Sequence, residues 1–194
     1  MILTLKKLKE LNACKKGLKW FKTSTCTTVE EACENLMAED GFAWANWLLV
    51  RLFTRDNAVR YALFAAKQVL PIYEKEYPTD PRVRDCITAI ERYLTDPTDE
   101  NKELLKTAAY AAAAASDTAY AAIAASDNAY ASAFAADYAA AASANAAAAA
   151  SDTTYAASDN AIYYAAVKAL PTQEFKQRII RNGLKLLKEQ EGNK

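Results

Sequence analysis

The 194-residue chain has no histidine and only 4 glycines and 5 prolines. Without histidine it can form no Ser-His-Asp or Cys-His catalytic pair, no His-ligated zinc site and no HExxH helix. The shortage of glycine and proline leaves few residues that interrupt a helix. The sequence therefore argues against several enzyme classes and predicts a chain that is nearly all helix.

Cysteine is also scarce, and its spacing is uninformative for metal or redox chemistry. The four residues are Cys14, Cys26, Cys33 and Cys86, and none of them forms a CxxC pair. Such spacing suits neither a zinc knuckle nor a thioredoxin-like motif. We interpret the cysteines as reduced, partly buried thiols and expect no metal and no cofactor.

Long apolar runs are absent as well. No window of about 20 residues is apolar enough to span a bilayer, and the opening MILTLKKLKELNACKKG has no apolar core typical of a secretory signal. The sequence therefore predicts a soluble, cytoplasmic protein without membrane contact.

Alanine is what the chain has in excess. It has 43 alanines, of which 33 lie between Ala108 and Ala169. A ten-residue pattern begins AYAAAAASDT at 109–118 and continues through 119–128 and 129–138. Ten residues turn an α-helix by about 280° net, so Tyr110, Tyr120 and Tyr130 would lie on different faces of one helix.

This segment is too long to remain one helix in a compact protein. An unbroken helix over 107–170 would be about 96 Å long at 1.5 Å per residue. We therefore predict that it folds back on itself, near Ser143–Asn145 or at Ser151–Asp152, where Asp152 could cap a new helix.

The helix boundaries are predicted from capping residues. Thr4 is predicted to cap a first short helix, and Thr28 with Glu31 has the spacing of a capping box. Asp56 is predicted to cap a long helix that Pro71 should kink or interrupt. The last helix carries an apolar stripe of Phe175, Ile179, Leu184 and Leu187.

Charge is segregated although the net charge is zero, with 24 Lys+Arg against 24 Asp+Glu. Residues 107–167 have five Asp and no Lys or Arg, whereas the first 22 residues have seven Lys and one acid, Glu10. The basic ends could pack on the acidic middle, within one copy or between copies. Alternatively they could form a basic patch for a phosphate-bearing ligand. Binding to long nucleic acid is not expected of a neutral chain with an acidic face.

Two further groups are candidate binding residues. Trp44 and Trp47 share a helix face, which is typical of a core but also of a platform that stacks on nucleobases. Arg82 and Arg84 follow Asp80-Pro81. This pattern is typical of a helix start with local ion pairs, but also of an arginine pair presented to an anionic ligand. Together with Tyr110, Tyr120 and Tyr130, these residues are the predicted ligand or partner site, and no catalytic residue is predicted.

These observations predict an all-α fold, a compact multi-helix bundle in a single domain over 1–194. It comprises a mixed-composition half at 1–106, the Ala-rich helices at 107–170 and a basic C-terminal helix at 171–194.

Three motifs carry a family resemblance: LNAC followed by Gly17, the YP-x-D-x-R turn from Tyr77 to Arg82, and the closing RNGLKLL. With the Ala/Tyr run between them, the chain resembles the alanine-rich "putative immunity protein" family of bacteria and tailed phages. The resemblance implies an antagonist in bacterial or phage conflict, and it implies no particular catalytic residues.

Three kinds of function are then open. The first is a non-enzymatic binding antagonist, whose partner is a bacterial toxin or defence protein that it covers, or that system's anionic nucleotide-type signal, which it sequesters. The second is a structural protein that self-assembles as a homo-oligomer. The third is an enzyme that holds Mg²⁺ through Asp117, Asp127 or Asp137, although the ten-residue step spreads these carboxylates around the helix.

Overall fold

The computed structural model describes residues 1–124, 140–148, 150, 160–169 and 172–192, without the side chains of residues 117–124, 164, 166 and 167. The predicted all-α fold is confirmed. In chain order the helices are α1 (Leu5–Glu10), α2 (Lys15–Thr23), α3 (Val29–Ala38), α4 (Phe42–Leu52), α5 (Arg55–Glu76), α6 (Arg82–Thr95), α7 (Asp99–Ala124) and α8 (Gln173–Gly192). Residues 140–148 are also helical, and 160–163 continue into a π-helical turn, Tyr164–Ala169.

Several helices start at side chains that accept hydrogen bonds from backbone N–H groups. The Thr4 hydroxyl accepts from the Lys7 N–H at 3.1 Å, and Thr28 and Glu31 form a reciprocal capping box, so both predictions are confirmed. The predicted cap at Asp56 is wrong, because the Thr54 hydroxyl accepts from the Asn57 N–H at 3.4 Å. Asp56 instead lies in the first turn, where its charge faces the positive end of the helix dipole.

Helix α5 runs for 22 residues and continues through Pro71 without the expected interruption. Proline removes one backbone hydrogen bond and crowds the preceding turn. Here Pro71 lies on the exposed side of the helix, while Val69 and Tyr73 on either side of it are buried. The burial of these neighbours offsets the lost bond and keeps the last turns helical.

Two clusters of buried side chains make up the core, and α5 contributes to both. Tyr61, Ala65 and Val69 belong to the first cluster, which includes residues of α3, α4 and α8. Val59 and Ala66 belong to the second, which includes residues of α6 and α7. The central position of α5 therefore joins the N-terminal helices to the alanine-rich part.

The Ala-rich segment folds back on itself, as predicted. Residues 140–148 return to the cluster of α7, where Ala146 and Ala147 are buried with Leu105 and Ala112. The predicted reversal at Ser143–Asn145 is wrong, because residues 140–148 form one continuous helix. The Asn145 amide donates to the Ala141 carbonyl at 2.8 Å, so the polar side chain is satisfied inside the helix. The alternative, Ser151–Asp152, lies outside the described residues.

Helix α8 seals the first cluster with the predicted apolar stripe, since Phe175, Ile179 and Leu187 are buried and Leu184 packs at the edge. Gly183 lies against α4 and α5, and a Cβ there would be 2.8 Å from Leu49 Cδ1 and 2.9 Å from Tyr61 Cε2. The absent side chain therefore allows α8 to approach the core closely.

A polar contact fixes the far end of α8. The Gln190 side chain accepts from the Thr54 N–H at 2.7 Å and donates to the Leu52 carbonyl at 3.0 Å. Both partners lie where α4 ends and α5 begins, so one amide satisfies two terminal backbone groups. Among the described helices, none combines the length and apolarity needed to cross a bilayer.

Candidate functional site

A cavity of about 460 Å³ lies among α1, α2, α3, α4 and the helical residues 160–163. Its walls carry six aromatic side chains, namely Trp20, Phe21, Phe42, Trp44, Trp47 and Tyr163. Trp44 is 38% exposed and Tyr163 is 44% exposed, so the cavity reaches the protein surface. Its volume is in the range of about 300–1,000 Å³ typical of ligand pockets.

All three tryptophans of the chain line this one cavity. Trp44 and Trp47 lie three residues apart on α4 and share a face, whereas Trp20 comes from α2. Arg51, one turn after Trp47, places its guanidinium carbon 5.1 Å from the centroid of that indole. The tryptophan emission of the protein therefore reports on the cavity.

Trp20 is oriented by α3. Its indole N–H donates to Glu39 Oε2 at 2.8 Å, across 19 residues of sequence. Glu39 is the C-cap of α3, so the bond ties the wall of the cavity to a helix end. Glu39 is thus a positioning residue for this indole.

The turn between α3 and α4 sets the position of the two other indoles. Asp40 has a φ of 56°, and the Gly41 N–H donates to the Leu36 carbonyl at 2.6 Å. A Cβ on Gly41 would lie 2.9 Å from that oxygen, closer than side chains tolerate. Glycine at this point allows α4 to begin directly against α3.

The chemistry of the cavity wall is apolar with a few amides. Besides the aromatic and aliphatic groups, Asn12, Asn46 and Asn160 contribute side chains. In the part of the chain that the structure describes, no Lys, Arg, Asp or Glu lines the cavity. This wall suits an uncharged group that buries apolar surface and accepts an occasional hydrogen bond.

One cysteine, Cys14, lies at the cavity and is exposed, whereas Cys26, Cys33 and Cys86 are buried. Burial raises the pKa of the Cys33 thiol to about 12 and that of Cys86 to about 12. Because the thiolate is the reactive form, these two thiols are unreactive in the folded protein.

The helices α1 and α2, which contribute to the cavity, are also rich in lysine. Lys6, Lys7, Lys9, Lys15, Lys16, Lys19 and Lys22 lie on α1 and α2 or beside them, and all but Lys7 are exposed. Among the described residues, none of the seven forms an ion pair. By contrast, Lys176 and Lys188 of the basic C-terminal helix pair with Asp40 and Glu30.

The predicted arginine pair forms local bonds. The Arg82 Nε lies 2.9 Å and 3.0 Å from the two Asp80 carboxylate oxygens, and its backbone N–H donates to Asp80 Oδ1 at 3.0 Å. Arg84 forms an ion pair with Glu74 at the end of α5. Both arginines thus tie the start of α6 to neighbouring carboxylates, and neither lines the cavity.

Tyr73 completes this turn from the buried side, where its hydroxyl donates to Asp80 Oδ2 at 2.7 Å. Burial, with the bond to Asp80 next, raises the Tyr73 pKa. Hydrogen bonds from the Arg82 side chain lower the pKa of Asp80 to about 2. The YP-x-D-x-R turn is therefore held by a carboxylate that stays ionised in the fold.

The three predicted tyrosines are not gathered at the cavity. Tyr110 lies on α7 and is 78% exposed. The Tyr120 side chain and the whole of Tyr130 lie outside the described residues. Of the predicted residues, the structure brings together Trp44 and Trp47 at the cavity.

Sequence reasoning missed Trp20 and Tyr163. A signal for Trp20 exists, because Cys14, Gly17 and Phe21 recur at helical spacing beside it and form one face of α2. No local pattern connects Tyr163 to α2 and α4. Among the described residues, no three Cys, Asp or Glu side chains lie close enough together to hold a metal ion.

The chain matches a known protein family over most of its length. The family model described as "Imm-5 like putative immunity protein" matches residues 49–176, more than half of the chain. The matched range includes the Tyr77–Arg82 motif, whereas the LNAC and RNGLKLL motifs lie beyond it. All residues that line the cavity except Asn160 and Tyr163 precede this range. No curated protein and no protein of solved structure matches the chain.

Proposed function

Because the chain belongs to the Imm-5 like putative immunity protein family, we propose that it is a non-enzymatic binding antagonist that covers a toxin-type effector in bacterial or phage conflict. The cavity and the helices around it are its binding surface. Binding there blocks the effector by occupying part of its surface, and no bond in either protein is made or broken.

The tryptophan-lined cavity is the observation that carries this proposal. Protein interfaces draw most of their binding energy from a few aromatic residues around a desolvated pocket. Trp44 combines 38% exposure with a place in the cavity wall, so it offers apolar area to an incoming group. The helices α3 and α4 and the hydrogen bond from Trp20 to Glu39 hold the wall in place, which lowers the entropic cost of binding.

Sequestration of an anionic nucleotide-type signal is the competing mechanism. Three indoles could stack on bases, which favours it. Phosphates, however, call for cations inside the site, and the side chains that line the described wall are uncharged. The nearest cations, on Arg51, Lys168 and Lys176, lie against the rings of lining aromatic residues. The wall thus fits a protein group better than a nucleotide.

A growth-rescue experiment tests the proposal. Bacterial strains that each carry one inducible toxin or one nucleotide-signalling defence system receive the gene for this chain. We expect rescue from one effector, and a complex of the two purified proteins in size-exclusion chromatography with light scattering. Tryptophan emission should change on mixing, because all three indoles line the site.

Position 17 provides a matched pair of variants. A Cβ at Gly17 would meet one neighbouring atom within 4 Å, Cys14 Sγ at 3.7 Å. Gly17→Ala should therefore rescue as well as the native chain, whereas Gly17→Leu extends into the cavity and should abolish rescue. Rescue by folded Gly17→Leu at the native level would show that antagonism uses another surface. Rescue without any complex would refute a covering mechanism.

A further inference from the structure

We infer that two walls of the cavity are positioned from outside it, by the turn between α3 and α4 and by the first turn of α8. The carboxylate of Glu39 holds Trp20, and the carboxylate of Asp40 holds Lys176, which lies against Phe42. The inference rests on the proposed function, because it names residues that govern binding at this site although they do not line it.

Glu39 holds the first wall directly. Its backbone is fixed as the C-cap of α3, where its N–H donates to the carbonyls of Asn35 and Leu36, each at 3.1 Å. From this fixed point, Glu39 Oε2 accepts from the Trp20 indole N–H at 2.8 Å. An indole has a single hydrogen to donate, so this bond selects one orientation of the ring. Trp20 therefore presents a defined face to the cavity.

Asp40 ties the start of α8 to the same turn. Its Oδ1 accepts from Gln173 Nε2 at 2.7 Å and lies 3.8 Å from Lys176 Nζ. Gln173 and Lys176 are three residues apart in the first turn of α8, so they lie on the same side of that helix. One carboxylate thus fixes two side chains of a helix that begins 133 residues later in the sequence.

Lys176 extends this anchor to the second wall. Its side chain is 17% exposed, and an ammonium group so far removed from water needs compensating partners. Asp40 supplies a negative charge, and the Phe42 ring, with its centroid 6.0 Å from Lys176 Nζ, supplies a π face. Phe42 is the first residue of α4, lines the cavity and is 4% exposed. The start of α8 therefore supports α4 where α4 enters the wall.

Both contacts influence binding through a lining ring. A surface that already has its bound shape loses less entropy when a partner occupies it. We therefore expect Glu39→Ala to weaken binding of the effector about two- to tenfold, the range that corresponds to one hydrogen bond. Glu39→Gln keeps an acceptor oxygen for the indole and should weaken binding less.

A double-mutant cycle separates positioning from direct contact with the effector. Affinity for the effector found by growth rescue is measured for the native chain, Glu39→Ala, Trp20→Phe and the double variant. Phenylalanine has no N–H to donate, so Glu39→Ala should have little further effect in the Trp20→Phe background. Equal losses in both backgrounds would show that Glu39 contacts the effector itself, and they would overturn its positioning role.

Indole N–H resonances report on the first wall without any partner. Isotope labelling of the indole nitrogens gives one signal for each of the three tryptophans, and the signal that Trp20→Phe removes belongs to Trp20. Glu39→Ala should shift this signal towards that of a free indole and accelerate its exchange with solvent. Glu34→Ala removes the same charge at an exposed position of α3 and should leave the signal in place.

The second wall is tested from α8. Lys176→Met keeps most of the side-chain length but removes the ammonium group. It should shift the indole signals of Trp44 and Trp47, which follow Phe42 on α4, and weaken effector binding about two- to tenfold. Lys185→Met makes the same change at an exposed position of α8 and should do neither. Circular dichroism checks that each variant keeps the helix content of the native chain.

The two walls can fail separately. A Trp20 signal that does not respond to Glu39→Ala would show that the indole does not depend on this bond. Signals of Trp44 and Trp47 that do not respond to Lys176→Met would show that α8 does not support the second wall. If the native chain covers an effector while all these signals stay in place, the inference fails alone. If the signals shift as expected but the native chain covers no effector, the proposed function fails instead.

Discussion

Two of the long helices, α7 and α8, are held in the same fold by different means. Helix α8 buries Phe175, Ile179, Ile180 and Leu187, each of which contributes about 1.5–3 kcal/mol when fully buried. In α7, the described buried apolar side chains are Leu105, Ala112 and Ala115, and a buried alanine methyl contributes only about 0.8 kcal/mol.

The difference shows how stability is distributed. In α8 a few large side chains and one amide contact determine the position of the helix, so single substitutions should be costly. In α7 the alanine surface allows helices to approach closely, toward the lower end of the usual spacing of about 8–10 Å. Many weak contacts then share the stabilisation, and the loss of a single alanine methyl should matter little.

The largest effect is expected from Phe175→Ala. Phe175 is 2% exposed, and its truncation would leave a cavity between α8 and the first cluster. We expect a loss of about 3–5 kcal/mol in the free energy of unfolding, measured by urea denaturation. Leu104→Ala on α7, where the side chain is 45% exposed, should change it by less than about 0.5 kcal/mol. Equal effects would contradict the assignment of Phe175 to the core and of Leu104 to the surface.

A smaller effect is expected from Asp80→Asn, which weakens the turn between α5 and α6. The charged hydrogen bonds from Arg82 and the bond from Tyr73 should be worth about 1.5–3 kcal/mol together. In the fold the Asp80 pKa is lowered from 3.8 to about 2. A carboxylate of this kind stabilises the protein above its unfolded pKa and loses that contribution as pH falls.

The sign of this effect gives a pH test. The difference in unfolding free energy between the native chain and Asp80→Asn should be constant above about pH 5 and should shrink between about pH 4 and pH 2. A difference that grows as pH falls would show that the ionised carboxylate does not stabilise the turn.

Two glycines of α8 sharpen the comparison within one helix. Gly183→Ala forces a Cβ to within 2.8 Å of Leu49 and 2.9 Å of Tyr61 and should cost about 1–3 kcal/mol. Gly192→Ala meets no atom within 4 Å and should leave the stability unchanged or slightly raised. A neutral Gly183→Ala would mean that α8 does not need this close approach.

The smallest effect is expected from Ala112→Gly in α7. This substitution should cost about 1–2 kcal/mol, from helix propensity and one buried methyl. Ala113→Gly, at an exposed position, should cost about 1 kcal/mol from propensity alone. If the two losses of stability differ by much more than the contribution of one buried methyl, about 0.8 kcal/mol, the alanine packing of α7 is as critical as the α8 core.

The sequence was most informative where structure depends on nearby residues. The Thr28–Glu31 capping box and the α8 stripe follow from spacing within one or two turns, and the all-helical fold follows from composition. Of the two predicted reversal points, the one at Ser143–Asn145 is wrong. Ser143 and Asn145 are poor helix formers, yet helix 140–148 runs through both, with Ser143 fully buried and the Asn145 amide bonded within the helix.

The candidate site could be predicted only in part. The spacing of Trp44 and Trp47 predicts that the two indoles share a helix face. The third indole, Trp20, lies 24 residues before Trp44 in the sequence, and the turn at Gly41 brings the two to the same cavity. Asp80 lies two residues before Arg82, so the sequence alone indicates the ion pair between them. The pair of Arg84 with Glu74 depends instead on the relative placement of α5 and α6.

The fold-back of alanine helices has one more consequence, which concerns register. An alanine face looks much the same after each turn, so packing alone discriminates weakly against a slide of about 5.4 Å along the neighbour. Two directional bonds from the other half of the chain mark the register of this segment. Cys86 Sγ donates to the Ser143 carbonyl at 3.4 Å, and the Arg55 guanidinium donates to the Ala150 carbonyl. The alanine-rich segment thus takes part of its alignment from side chains on α5 and α6.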